Sequence, residues 1–297
     1  MAVERSDLKN RTIPEMRFCS PGSPAPQSRD FKTDQSTEPA LERFRVKGNA
    51  IVTGGGGDLG STAARALLQH GLKGLIVFDL DLVEAGKRIE KLKAEFPAAA
   101  IDFRKVNITD ADMVRQAVDE VVELLGSVDI LLNFAGVVSV AHSVDEDPNN
   151  FRRTMEINST GAFLISQAVG RKMISAKTGG SIILIASISG HQVNFPQPQV
   201  AYNTSKAAVM MIKNSLAAEW AVHGIRVNSI SPGYMDTILN EGDGLEDAKK
   251  QWYSRNPMGR MGNREELTGA VVLLASRAGS YINGADILVD GGQTLTC

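Results

Sequence analysis

The sequence predicts an α/β fold, a doubly wound parallel sheet in a single domain, and three observations predict it. From Phe44 onward, short apolar runs alternate with stretches of helical period, as repeated βα units do. The apolar runs are continuous rather than alternating, as expected of strands covered on both faces. A glycine-rich stretch separates the first apolar run from the first helical one, where a βα unit needs a tight turn.

Residues 49–52 read as the first buried strand. Residues 61–70 read as a helix, with Ala63, Ala64, Leu67 and Leu68 on its apolar side. Strands at 74–78 and 101–106 alternate with helices at 83–96 and 111–125. Residues 130–132 form a fourth strand and 151–175 a long helix. A fifth strand at 181–185 precedes a second long helix at 202–223. A strand at 226–229, a helix at 265–275 and a last strand at 286–289 complete the series.

The bulk properties agree with one large domain. Of 297 residues, 43% are apolar and 22% charged, enough for a sizeable core and against global disorder. The net charge of −2 announces no nucleic-acid face. The two cysteines, Cys19 and Cys297, make neither a disulfide framework nor a zinc cluster, and their scarcity points to a reducing, cytoplasmic setting. No apolar run has the length of a membrane span. No secretory signal is expected, and Glu4, Asp7 and Glu15 weaken a transit-peptide reading. Residues 1–44, turn-rich around 20–26, are expected to be a disordered extension ahead of a domain at 45–297.

The loop Thr53-Gly54-Gly55-Gly56-Gly57-Asp58-Leu59-Gly60 leads from strand to helix. Its glycines let a pyrophosphate approach a helix N-terminus, where free N–H groups and the dipole favour an anion. Asp79 ends the second strand about twenty residues further on. A carboxylate there accepts hydrogen bonds from ribose hydroxyls and repels a 2′-phosphate. Asp81 adds negative charge, so NAD is expected over NADP. Asn107, and Asn133 to Gly136 with Ala135 between, follow strands at the same end of the sheet; each is also an ordinary turn residue.

Tyr202 and Lys206 stand four apart at the start of a long helix, on one face. An ammonium near a phenol lowers its pKa toward neutrality, where proton exchange with an alcohol becomes efficient. Ser187 follows the fifth strand, and its hydroxyl can steady charge developing on a reacting oxygen. Alone, a tyrosine and lysine at this spacing are more often structural than chemical.

In family order, the chain carries Thr53-Gly54 to Gly60, Asn133-Phe134-Ala135-Gly136, Asn158, Ser187, Tyr202-Asn203-Thr204-Ser205-Lys206 and Pro232-Gly233. From about residue 45 to its end it resembles the short-chain dehydrogenase/reductase family, in its single-domain, Rossmann-like branch. That resemblance implies Tyr202 as general acid/base, with Lys206 lowering its pKa and binding ribose. Ser187 would orient the substrate oxygen, and Asn158 would hold a water in a proton relay. Asn107 would contact adenine, while Pro232-Gly233-Tyr234 and Thr237 would flank the nicotinamide. It also implies a homotetramer through the two long helices, where Ala207, Ala208, Ala217 and Ala218 allow close packing. The sequence departs from the family at Asp58, where a glycine is usual, at Phe134 for Asn, and at Asn107 for Asp. The carboxylate of Asp58 either points away and caps the helix or weakens cofactor binding.

The amide-rich stretch 188–201 has two readings, as partners for a polyhydroxylated substrate or as a rigid pocket wall. Its Pro-Gln-Pro-Gln run resembles fungal polyol dehydrogenases and ketose reductases of the family. The loop 235–247, with Gly242 and Gly244, is a substrate lid by resemblance. An apolar ketone of secondary metabolism is the other substrate reading, on which Met210 and Met211 are silent. A non-catalytic NAD sensor is a third, supported by Asp58 alone.

Overall fold

The computed structural model describes residues 14–20, 39–237 and 243–296. Glu4, Asp7, the turn-rich run 21–26, Gly242 and Cys297 lie outside the described residues, as does most of the expected N-terminal extension.

The elements run β1 Asn49–Thr53, α1 Asp58–Gln69, β2 Gly74–Asp79, α2 Leu82–Glu95, β3 Ala100–Lys105, α3 Ala111–Leu125 and β4 Ile130–Asn133. Then come α4 Pro148–Met155, a π turn Glu156–Thr160, α5 Gly161–Ala176, β5 Gly180–Ile185, α6 Val200–Trp220 and β6 Ile225–Pro232. The two-residue strands β7 Met235–Asp236 and β8 Gly262–Asn263 enclose α7 Glu246–Arg255. Helix α8 Thr268–Ala275 and β9 Asp286–Val289 end the fold.

Among the described residues, seven strands form one sheet in the order β3-β2-β1-β4-β5-β6-β9, every pair parallel. The order reverses between β1 and β4, which opens a crevice at the carboxyl ends of those strands. Successive side chains point to opposite faces of a strand, so each strand feeds two cores. Ile51, Leu131, Ile182 and Val227 pack with α3, α5 and α6 on one side. Val52, Leu132, Ile183 and Ile230 pack with α1, α2 and α8 on the other.

Three departures from expectation bear on the cleft. Helix α1 starts at Asp58 rather than 61, because Gly57, extended at φ −78° and ψ 168°, is its N-cap. The helix expected at 151–175 starts at Pro148, behind an Asp147 side chain that accepts from the Asn149 N–H. It is also broken by the π turn, where Asn158 bonds outward to Val137 and Ser205. Helix α7 was not expected: its sequence EDAKKQWYSR buries only Trp252 and so carries no apolar period. Among the described residues no helix is long and apolar enough to cross a membrane.

Candidate active site

A cleft of about 790 Å³ opens at the carboxyl ends of the central strands. Its floor at one end is the loop after β1. Gly54 has φ +64°, and a Cβ there would lie 2.7 Å from the Ala135 nitrogen. A Cβ on Gly60 would sit 2.4 Å from the Gly54 carbonyl. The turn and the start of α1 therefore close up only because both residues lack side chains, and the resulting backbone cradle fits a dinucleotide pyrophosphate.

Thr53 and Asn133 stand behind this cradle. Thr53 Oγ1 donates to Asn133 Oδ1 at 2.5 Å and accepts from the Ala135 N–H at 3.2 Å. Both residues are buried, so they brace β1 against β4 rather than face the cleft. Ala135 and Gly136 do line it.

Asp79 lines the cleft at the end of β2. Its Oδ2 accepts from the Gly56 N–H at 2.8 Å, and its Oδ1 from Leu80 and Asp81 at 2.7 and 3.1 Å. The carboxylate thus ties the glycine loop to β2 and is held in one orientation. Asp81 caps α2, accepting from Val83 and Glu84, so its charge serves a helix end. Asn107 lines the cleft beyond them; its Oδ1 accepts from the Thr109 backbone and hydroxyl at 3.2 and 2.9 Å. Asp58 does not cap α1. Its carboxylate pairs with Arg88 at 2.7 Å and Arg264 at 3.3 Å.

At the other end, Ser187, Tyr202 and Lys206 converge on the cleft. The Ser187 hydroxyl accepts from the Ser189 N–H at 3.1 Å, lies 3.0 Å from the Ser189 hydroxyl, and is hydrogen-bonded to Tyr202. Lys206 Nζ donates to the Ile185 carbonyl at 2.8 Å and lies 5.6 Å from the Tyr202 ring centroid. Burial holds the Tyr202 phenol above its usual pKa, with the Ser187 bond acting the other way. Burial lowers Lys206 from 10.5 to about 8. The lowered tyrosine expected from the Tyr–Lys spacing is thus not seen in the free protein. Desolvation exceeds the effect of an ammonium that sits over the ring face and bonds a carbonyl.

Asn158 is buried behind Lys206. Its amide accepts from the Val137 N–H and donates to the Val137 carbonyl, both at 2.8 Å, and to Ser205 Oγ at 2.9 Å. A Cβ on Gly136 would have Asn158 Oδ1 at 3.1 Å and Lys206 Nζ at 3.6 Å, which places the two groups around one point. Pro232 and Gly233 border the cleft from the end of β6, and Thr237 from just after β7.

The amides after Ser187 bond largely to one another. Asn194 and Gln197 donate to the Tyr234 hydroxyl at 3.1 and 2.9 Å. Gln199 donates to Asn194 at 2.8 Å and to Asn203 at 2.9 Å. Trp252 of α7 donates to Gln197 at 3.1 Å and stacks on Tyr234, centroids 4.2 Å apart. Sequence reasoning missed Trp252, Arg88 and Arg264. A lone tryptophan in a polar segment was the one signal available for the first; the arginines carry none.

The profile of a family described as Enoyl-(Acyl carrier protein) reductase matches residues 57–294. A D-arabinitol 2-dehydrogenase [ribulose-forming] of Candida tropicalis is 39% identical, over 89% of this chain and 98% of its own length. An NADP-dependent mannitol dehydrogenase of Hypocrea jecorina is 38% identical, over 86% of this chain and 95% of its own. Among solved structures, a gluconate 5-dehydrogenase from Burkholderia cenocepacia, in complex with NADP and tartrate, superposes with a TM-score of 0.81. It is 33% identical and covers 87% of this chain and all of its own. The strand order, the glycine cradle and these matches over nearly the full length of each relative converge. The chain belongs to the short-chain dehydrogenase/reductase family and is an NAD(P)-dependent oxidoreductase that interconverts a secondary alcohol and its ketone.

Proposed function

We propose that this enzyme oxidises a sugar polyol to its ketose and runs the reverse reduction, with NAD as the preferred cofactor. The observation that carries the reading is the joining, in one cleft, of Ser187, Tyr202 and Lys206 to a fixed carboxylate at Asp79. The similarity to arabinitol and mannitol dehydrogenases supports the substrate class.

The roles follow from chemistry. The nicotinamide supplies the hydride acceptor and positive charge when bound. Thr53 and Asn133 hold the glycine loop that seats the pyrophosphate. Asp79 receives the adenosine ribose hydroxyls, Asn107 borders the adenine, and Ala135, Gly136, Pro232, Gly233 and Thr237 enclose the rest. Ser187 donates to the substrate oxygen while Tyr202 takes the hydroxyl proton. Lys206 binds ribose hydroxyls and stabilises the phenolate. Asn158, beside Lys206, holds the way out for the proton.

The domain is residues 45–297 and works as a homotetramer. The scarcity of cysteine supports a reducing, cytoplasmic setting. Val138 and Val140, about half exposed and on the cleft, favour an apolar ketone as second substrate class.

The test is cofactor absorbance with NAD and NADP against arabinitol, mannitol, sorbitol, xylitol and their ketoses. NAD-linked turnover of a polyol is expected. Silence on every sugar, with turnover of a bulky apolar ketone, moves the substrate to the second class.

A further inference from the structure

Asp58 occupies the first residue of α1, on the cleft, where the glycine loop presents its N–H groups. A helix N-terminus attracts an anion. Two anions there, a carboxylate and a pyrophosphate, repel each other. The Asp58 side chain is only 10% exposed, so water screens that repulsion weakly. A cofactor site with this residue needs a compensating charge.

The compensation comes from two distant places. Arg88, on α2, donates Nη2 to Asp58 Oδ1 at 2.7 Å and Nη1 to the Ser61 hydroxyl at 2.8 Å, which locks its guanidinium across the first turn of α1. Arg264 donates Nη1 to the same Oδ1 at 3.3 Å. It opens the 3-10 turn Arg264–Leu267, which is itself fixed by a capping box between Asn263 and Glu266. Glu266 is in turn paired with Arg260 at 2.6 Å. Among the described residues, two guanidinium groups therefore face the Asp58 carboxylate beside the cradle.

We infer that Arg88 and Arg264 act as positioning residues that neutralise Asp58, and that this triad sets the affinity of the glycine loop for the cofactor pyrophosphate. The inference rests on the reading of that loop as the cofactor site. It makes Asp58, a departure from the family glycine, compatible with turnover, and it gives two residues outside the cleft wall a part in cofactor binding.

The experiment measures binding rather than turnover. Dissociation constants of NADH, ADP and adenosine are determined by fluorescence and calorimetry on the full-length enzyme and on Arg88→Met, Arg264→Met, Asp58→Asn and the double variant D58N/R88M. Arg88→Met is expected to weaken NADH and ADP by about tenfold. Arg264→Met, with its longer contact and half-exposed side chain, has a smaller effect in the same direction and keeps the fold. Neither changes adenosine, which has no phosphate. The double variant restores the net charge of the triad and returns ADP affinity to near the wild-type value. Equal weakening of adenosine and ADP, or no recovery in D58N/R88M, would overturn the inference and leave the triad a structural brace. A wild-type enzyme that binds no NADH overturns the cofactor reading itself.

Discussion

Tyr202 and Lys206 are adjacent on one face of α6, yet their environment sets them apart. Burial raises the phenol and lowers the ammonium, because each loses its charged form in a poorly solvated site. Tyr202→Phe removes the one hydroxyl placed to exchange a proton with substrate. Turnover should fall about a thousandfold, while NADH affinity, read by fluorescence, stays within about twofold. Retained turnover would remove Tyr202 from the chemistry. Lys206 gives a stability test with a defined sign. Its folded pKa of about 8 lies below its ordinary 10.5, so the folded chain sheds this proton first. The burial penalty is complete below pH 8, fades as pH rises, and is gone above 10.5. The Tm of wild type minus that of Lys206→Met should therefore rise between pH 8 and 10.5. A flat difference across that window contradicts the assignment.

At the scale of elements, the cleft is assembled by parts that do not touch in sequence. The amides after Ser187, the end of β6 and helix α7 meet through Gln197, Tyr234 and Trp252. In this network Asn194 and Gln197 bond to Tyr234, Gln199 and Trp252, as the rigid-wall reading of the amide stretch expects. Trp252→Phe keeps a ring on Tyr234 but deletes the donor to Gln197. The polyol KM should rise about fivefold with kcat within about twofold, and steady-state kinetics decides it. A fall in kcat at unchanged KM would mean that α7 acts on the chemical step instead. The π turn is a second such element: Asn158 reaches Val137 and Ser205 because the extra residue in the turn re-aims it.

At the scale of the whole molecule, the exposed face of α6 bears on assembly. On α6, Ala207, Met211, Asn214 and Ser215 are exposed at helical spacing, whereas Ala217 is buried within the protomer and Ala208 and Ala218 are half-buried. Of the four small residues expected at a helix–helix interface, one is thus committed to the internal core. Sedimentation at working concentration should show a species of four chains, and Met211→Glu, placing a charge in the middle of that exposed stripe, should shift it toward smaller species. A monomer in the wild type would sink the tetramer.

Much of the fold and of the site was legible in the residues. Strands buried on both faces are continuous apolar runs, so β1, β2, β4 and β5 announce themselves, and a glycine required by a close backbone approach is visible as Gly54 and Gly60. Tyr202, Lys206, Ser187 and Asp79, which line one cleft, stood out because local spacing and position after a strand carry chemical meaning. Polar α7 was missed, since one buried tryptophan makes no period. The protonation of Tyr202 and Lys206 was decided by tertiary burial, which no spacing encodes. The partners of Asp58 were decided there too: Arg88 is 30 residues away and Arg264 is 206 away. A pairing of charges depends on which surfaces the packed sheet brings together, and only the folded chain contains that distance.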